Sequence, residues 1–387
     1  MSTYADIAAS RRTASTRSYR VLWVATLLFF GGFYALLVPL PLYLERVGLS
    51  GTEIGLVVGT FGIAALLSRP LVGALVDRAG ARRVLLLGAC ALLVGSLGVP
   101  ATSRLIPLLA LRLLQALGYV AFTTAGTACV IALAPPQRRA QRLAIYGSAA
   151  NVAITLTPAA TSALLGSLPL EAGFAFAGAL AMAASTLAAL VPAMTPAPAP
   201  PFAGAWVPPR ALWRPMLIAA LFGASFAAFF QFVPLVAARQ GEARVGWMYG
   251  LYGVGIIATR FGSGRLLGRC APQRLLAAAA CSLAAGLGLL AAAPPAAALP
   301  AVLLLAWGSG VSHPLLIDCH AALLPRSPGR ATAAFYSGFD AGIGLGSLLF
   351  GALLQTAGPR ALYGAAALLA LAVLPLLAPP RQPQEEP

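Results

Sequence analysis

Charge is scarce in this chain, and one kind is missing outright. Its 387 residues hold ten acids and no lysine; all 26 basic residues are arginine, and charged residues total 9%. A soluble domain carries about 25% charged residues, so this composition cannot cover a water-exposed surface. Paired cysteines are missing too. Cys90, Cys129, Cys270, Cys281 and Cys319 stand singly in or beside apolar stretches, as small packing residues rather than a disulfide framework or a zinc knot. No Gly-x-x-x-x-Gly-Lys-Ser/Thr loop and no long soluble segment occur, which excludes ATP hydrolysis by this chain. Runs such as Leu85 to Val99 lack the apolar–polar alternation of a β-barrel strand.

What the chain has instead is apolar length. Hydrophobic residues make up 59%, and the mean hydropathy is +0.85. Runs of roughly 20 residues, enough to cross a hydrocarbon core, recur from end to end. They predict an all-α membrane protein of twelve transmembrane helices. The first six lie near 21–44, 54–76, 84–100, 105–133, 143–168 and 172–194, the second six near 215–237, 246–267, 275–293, 299–324, 331–356 and 361–379. Pro196, Pro198, Pro200, Pro201, Pro208 and Pro209 interrupt the series, so 195–214 reads as a semi-rigid linker. It separates a first six-helix bundle (1–194) from a second (215–380), and 381–387 reads as a disordered polar tail.

The net charge of +16 does not signal nucleic acid, because the arginines lie in short clusters between apolar runs rather than on one face. Their placement gives topology instead. One set of connections holds Arg11, Arg12, Arg17 and Arg20, then Arg78, Arg82 and Arg83, then Arg138, Arg139 and Arg142. It continues with Arg210 and Arg214, Arg265, Arg269 and Arg274, and Arg326 and Arg330. The alternate set holds few arginines, with Glu45, Glu53, Glu171 and Glu242 beside them. By the positive-inside rule the first set and both termini face the cytoplasm, as expected for a multi-pass membrane protein. The N-terminal apolar run shows no clear small-residue cleavage site, so it is expected to remain as the first span.

The halves echo each other. Gly55, Gly59, Gly62, Arg69, Gly73, Arg78, Arg83 and Cys90 map onto Gly246, Gly250, Gly253, Arg260, Gly264, Arg269, Arg274 and Cys281 at a constant offset of 191 residues. Such duplication in an apolar chain points to a carrier that rocks one half against the other. Within the repeat, Asp77 ends an apolar helix at the membrane surface, with Arg78, Arg82 and Arg83 near enough to compensate it. A carboxylate there can also face the N-terminus of a helix from the other half, where the dipole favours negative charge; the alternative is a simple topology anchor.

The loop formed by Gly73, Asp77, Arg78, Gly80, Ala81, Arg82 and Arg83 resembles the first signature of the major facilitator superfamily, with Ala81 in place of a basic residue. Gly268 replaces the aspartate in the second copy. In the fourth span, Arg112-Leu113-Leu114-Gln115-Ala116-Leu117-Gly118 is similar to the Arg-x-x-Gln-Gly-x-Gly signature of proton-coupled members. In the fifth, Thr157-Pro158-Ala159-Ala160-Thr161-Ser162 keeps the proline of the antiporter motif but not its glycines. The resemblance covers nearly the whole chain. It implies two pseudo-symmetric six-helix bundles, a latch at the 73–83 loop, and a proton-coupled efflux permease of the drug or sugar-efflux type. It implies no cofactor.

Individual side chains carry further expectations. Arg112 lies about eight residues into its span, roughly 12 Å along the axis, where a charge faces a partner or a wet cavity unless it snorkels to the surface. Gln115, Tyr119 and Thr123 follow on a similar face and are expected to line a substrate cavity, with Asn151 of the fifth span and Tyr34 of the first. Asp340 sits about ten residues into the eleventh span, with Tyr336 on its side. An unpaired carboxyl at that depth could exchange a proton near physiological pH; a structural hydrogen bond is the alternative. Asp340 is therefore the leading proton-coupling residue, with Arg112 and His313 modulating it. His320 shares a face with His313 while Asp318 points away, too few ligands for a metal. Phe226 and Phe230 suit an apolar or cationic ligand, or ordinary packing. Arg69 and Arg260, at equivalent repeat positions, suggest a shared architectural task. Gly338, Gly342 and Gly346 mark a close approach to another helix.

Together these readings describe a monomeric carrier in lipid that takes a small-molecule substrate and protons, with no nucleic acid and no metal. Uptake or facilitated diffusion in the same fold is the alternative. A membrane enzyme would need a polar catalytic cluster that the loops do not supply.

Overall fold

The computed structural model describes residues 2–134, 139–193, 208–241, 245–267, 270–292, 297–324 and 328–377. Most of the proline-rich segment, Glu242, Arg244, Arg138, Arg269, Arg326, the tail 381–387 and the side chain of Arg260 lie outside the described residues.

Within them every regular element is a helix. The first half comprises α1 (Ser2–Ala35), α2 (Pro39–Arg46), α3 (Gly51–Ala79), α4 (Ala81–Gly98), α5 (Leu105–Leu133), α6 (Arg139–Leu165) and α7 (Glu171–Ala189). The second comprises α8 (Arg210–Arg239), α9 (Gly246–Leu267), α10 (Pro272–Ala292), α11 (Ala298–Leu323), α12 (Pro328–Thr356), α13 (Gly358–Leu371) and α14 (Val373–Leu377). Eleven stretches are long and apolar enough to cross a membrane, and α9, 22 residues long, supplies a further long helix between two of them. The arrangement is two pseudo-symmetric six-helix bundles, with the first pass broken between α1 and α2 and the last between α13 and α14. Pro39 opens α2, where its missing N–H leaves no helical bond unmade.

Helix ends run past the expected spans. α8 starts at Arg210 with Pro215 inside it, and α6 starts at Arg139. Hydropathy marks the part of a helix that lies in lipid, whereas backbone hydrogen bonding continues into polar sequence. The start of α3 is fixed by a reciprocal cap: the Glu53 N–H donates to Ser50 Oγ at 3.3 Å, and the Ser50 N–H donates to the Glu53 carboxylate at 2.8 Å.

α12 lies between α3 and α8, and glycine lets it approach both. Gly338, Gly342 and Gly346 sit against the backbone at Met216, Ala220 and Ala224 of α8, which fulfils the expectation of a close approach on that four-residue stride. On its other face Gly344 and Gly351 meet α3. A Cβ on Gly59 would stand 2.7 Å from the Gly344 carbonyl oxygen, and one on Gly55 would stand 2.8 Å from the Gly351 Cα. A second seam joins α6 to α9, where the Gly246 N–H donates to Ser162 Oγ at 3.0 Å.

These seams give the molecule two unlike ends. At the end holding Glu45, Arg46 and Glu171, the halves are tied together. Arg239 Nε donates to the Glu45 carboxylate at 2.6 Å, and the Thr52 N–H donates to Gln355 Oε1 at 2.9 Å. At the basic end, α3 stops at Gly80, whose φ of 86° needs a glycine. Arg82 there donates to the Ala189 carbonyl at 2.6 Å, while Asp77, Arg78 and Arg83 are exposed. Asp77 forms no ion pair among the described residues, and Cβ atoms on Gly73 or Gly147 would meet nothing within 4 Å. Among the described residues, the contact expected of a latch at Asp77 is not made.

Candidate functional site

The glycine seam between α3 and α12 positions a buried ion pair. Gly62 has no side chain, so the α12 backbone at Asp340 and Gly344 comes directly against it. Seven residues on, two helical turns along the same face, α3 presents Arg69. Arg69 Nε and Nη2 donate to Asp340 Oδ2 at 3.1 and 2.5 Å. The side chains are 15% and 4% exposed. Charges so far from water are costly unless paired, and here each is the other's partner across the two halves.

Aromatic side chains surround this pair. The Arg69 guanidinium lies over the Tyr336 ring at 5.2 Å. Tyr119 from α5 stands within electrostatic reach of both charges, and Tyr34 from α1 within reach of Tyr119. His313 on α11 is half-buried, with its ring 4.9 Å from Phe335, 6.1 Å from Tyr336 and 5.6 Å from Phe339. It therefore sits one ring away from Arg69. His320 contacts the same Phe335 from farther along α11 but is fully buried, with Nδ1 2.7 Å from the Leu316 carbonyl oxygen, while Asp318 is exposed. Phe226 stacks on Phe230 at 4.2 Å and touches Phe339 at 5.6 Å; Phe230 itself is in the core.

A second polar group lies nearer the ion-paired end. Arg112 on α5 is 6% exposed, so it does not snorkel to the surface. Its Nη1 donates to Gln115 Oε1 at 2.9 Å, its guanidinium lies 4.8 Å over the Phe61 ring, and its Nε has no hydrogen-bond partner. Gln115 is fully buried and turned toward α4, donating to the Gly95 carbonyl at 2.8 Å. It holds Arg112 in place from within the first bundle rather than facing an open wall. Opposite, on α8, Gln231 is 7% exposed and its Oε1 has no partner. Arg112 and Gln231 line one cleft together with Phe33, Leu36, Leu37, Leu40, Pro41 and Val58.

Two other expected wall residues lie toward the basic end. Thr123 Oγ1 donates to the Tyr119 carbonyl at 2.8 Å, and Asn151 Nδ2 to the Gly147 carbonyl at 3.3 Å; both are half-buried. Arg69 and Gln231 entered the site from the structure, one as the acid's partner and the other as an unpaired amide.

The sequence model of the Major Facilitator Superfamily matches residues 22–328 and 241–387. The quinolone resistance protein NorA of Staphylococcus aureus is 32% identical over 68 residues, a stretch that covers 18% of this chain and 18% of that protein. The crystal structure of the nucleoside transporter NupG shares 14% identity at a TM-score of 0.76, covering 93% of this chain and 99% of that one. The human organic anion transporter MFSD10 shares 21% at 0.68, covering 94% and 99%. A bacterial homologue of the human lysosomal transporter Spinster, in an inward-facing and unoccupied conformation, shares 15% at 0.72, covering 94% and 95%. These likenesses are likenesses of fold.

Proposed function

The chain belongs to the major facilitator superfamily, and from that premise we propose that it exports a small amphipathic molecule in exchange for protons. As a member of this family it is a secondary transporter, set in the membrane by many helices and acting on a small-molecule substrate. In this reading the basic end and both termini face the cytoplasm of a bacterial cell, and one chain is the working unit.

The observation that carries the proposal is the Arg69–Asp340 pair, buried and set across the seam between the halves. Ionised, Asp340 is held by Arg69 and ties α12 to α3. A proton on Asp340 removes its charge, and with it the attraction that holds the seam at this level. Proton and guanidinium thus compete for one carboxylate, so proton occupancy biases the two arrangements of the halves. Tyr336 keeps a π-face against Arg69 when the carboxylate is neutral. Protons flow inward down their gradient, so a substrate that leaves outward as the proton enters is exported. The local likeness to a quinolone resistance protein supports that direction.

The test is proton flux in liposomes that contain the purified chain and an internal pH dye, with an imposed pH gradient and a panel of small amphiphiles. A transported compound should move against the protons, and Asp340→Asn should abolish the exchange. The double variant Arg69→Gln/Asp340→Asn controls for folding: it should be inactive yet stable. Exchange at the parent rate by either variant rejects the assignment. Movement of compound with the protons replaces export by uptake.

A further inference from the structure

We propose that Arg112 and Gln231 form a subsite for the anionic end of the substrate, so that the transported molecule is an amphipathic carboxylate. This rests on the transporter reading above and names its substrate class. The first observation is a charge without an acid. Arg112 is 94% buried within a membrane-spanning helix, and among the described residues no carboxylate pairs with it; the acid buried in the seam, Asp340, is held by Arg69. Gln115 takes one N–H and Phe61 one face of the guanidinium, which leaves the Nε–H with no acceptor. A buried guanidinium without an anion is costly, and an entering carboxylate relieves that cost.

The second observation comes from the opposite half. Gln231 lies in the same cleft with its amide oxygen unpartnered. An amide can present its oxygen to a donor or its NH2 to an acceptor, so Gln231 can serve a carboxylate or a hydroxyl beside it. The remaining walls, including Phe33, Leu36, Leu40 and Val58, are apolar and fit the body of an amphiphile. A cationic ligand would meet Arg112 head-on, and a neutral one would leave it uncompensated. A carboxylate bound here touches α5 and α8 at once, so it bridges the halves at a point distinct from the proton-binding pair. Val58 and Arg69 are eleven residues apart on α3, about 16 Å of helical rise.

Binding can therefore be read without transport, using the full-length chain in lipid nanodiscs and a set of shape-matched probes: 2-naphthoate, 2-naphthamide, 2-naphthylmethylammonium and chloride. Thermal stabilisation should be saturable with 2-naphthoate and require concentrations about tenfold higher for the amide and the ammonium. Chloride alone should not reproduce it. Arg112→Gln should erase the preference for the carboxylate over the amide, and Gln231→Leu should weaken naphthoate binding. Should Arg112→Gln not fold, Arg112→Lys should weaken naphthoate binding while keeping the preference, because it retains the charge but not the planar fork. Equal binding of the three aromatics, a preference that survives Arg112→Gln, or equal stabilisation by chloride overturns the proposal. Those results would leave the proton role of Asp340 standing, and failure of the proton assay would leave this subsite standing.

Discussion

Arg69 and Asp340 are 271 residues apart in the chain, yet Arg69 Nη2 lies 2.5 Å from Asp340 Oδ2, with both side chains withdrawn from water. Each comes from a different half, so neither half alone satisfies its own buried charge. That mutual dependence makes the pair sensitive to any motion of α3 against α12.

The same dependence gives a thermodynamic signature. Removing one partner of a buried pair strands the other and costs about 3–5 kcal/mol, whereas neutralising both strands nothing. Arg69→Gln and Asp340→Asn should each lower the denaturation midpoint more than the double variant does. A double-mutant cycle on the purified chain measures the coupling. Strictly additive losses would mean that the two groups do not sustain each other.

The glycine seam predicts a steric switch. A Cβ on Gly62 would collide with the α12 backbone at Asp340 and Gly344, whereas one on Gly73 meets nothing within 4 Å. Gly62→Val should push the helices apart and separate Thr52 from Gln355, whose backbone–side-chain bond is 2.9 Å here. With native cysteines replaced, disulfide formation between cysteines placed at 52 and 355 should slow by roughly tenfold in Gly62→Val and stay unchanged in Gly73→Val. Equal rates in both variants would remove the seam from the mechanism.

Much of this architecture is legible in the sequence, because hydropathy and helical stride are local properties. The membrane class, the order of the spans and the approach of Gly338, Gly342 and Gly346 to another helix all follow from neighbours in the chain. Pairing is different. Arg69 reads as architecture because its partner depends on how α3 and α12 face each other. Gln115 shares a stretch with Arg112 but turns to α4, where Gly95 makes room; a Cβ there would stand 2.6 Å from the Gln115 Cγ. Gln231 directly follows Phe230 in the chain, and only its unpartnered oxygen distinguishes it.

The tie between Glu45 and Arg239 should contribute little and be sensitive to salt. Both side chains are about one-third exposed, and exposed pairs are worth about 1 kcal/mol or less. Glu45→Gln should shift the conformational equilibrium toward opening at that end by no more than about fivefold, and about 1 M salt should mimic the substitution in the parent chain. Distances between spin labels across that end, measured with and without salt, report the shift. A large loss that salt does not reproduce would assign this contact a different role.

Asp77 should act in the conformation not seen here. It is exposed and makes no ion pair among the described residues, so Asp77→Asn removes no ion pair from the arrangement described here. If the carboxylate meets a helix N-terminus when that end closes, the substitution costs the closed arrangement about 0.5–1 kcal/mol and shifts the balance about two- to fivefold toward the open one. A cysteine at Asn151, half-buried and facing the basic end, reports that balance through its rate of modification by a membrane-impermeant thiol reagent. The rate should rise in Asp77→Asn by that factor with the thermal midpoint unchanged. An unchanged rate would reduce Asp77 to a topology marker, and a lower midpoint would mean that it already holds something in the arrangement described here.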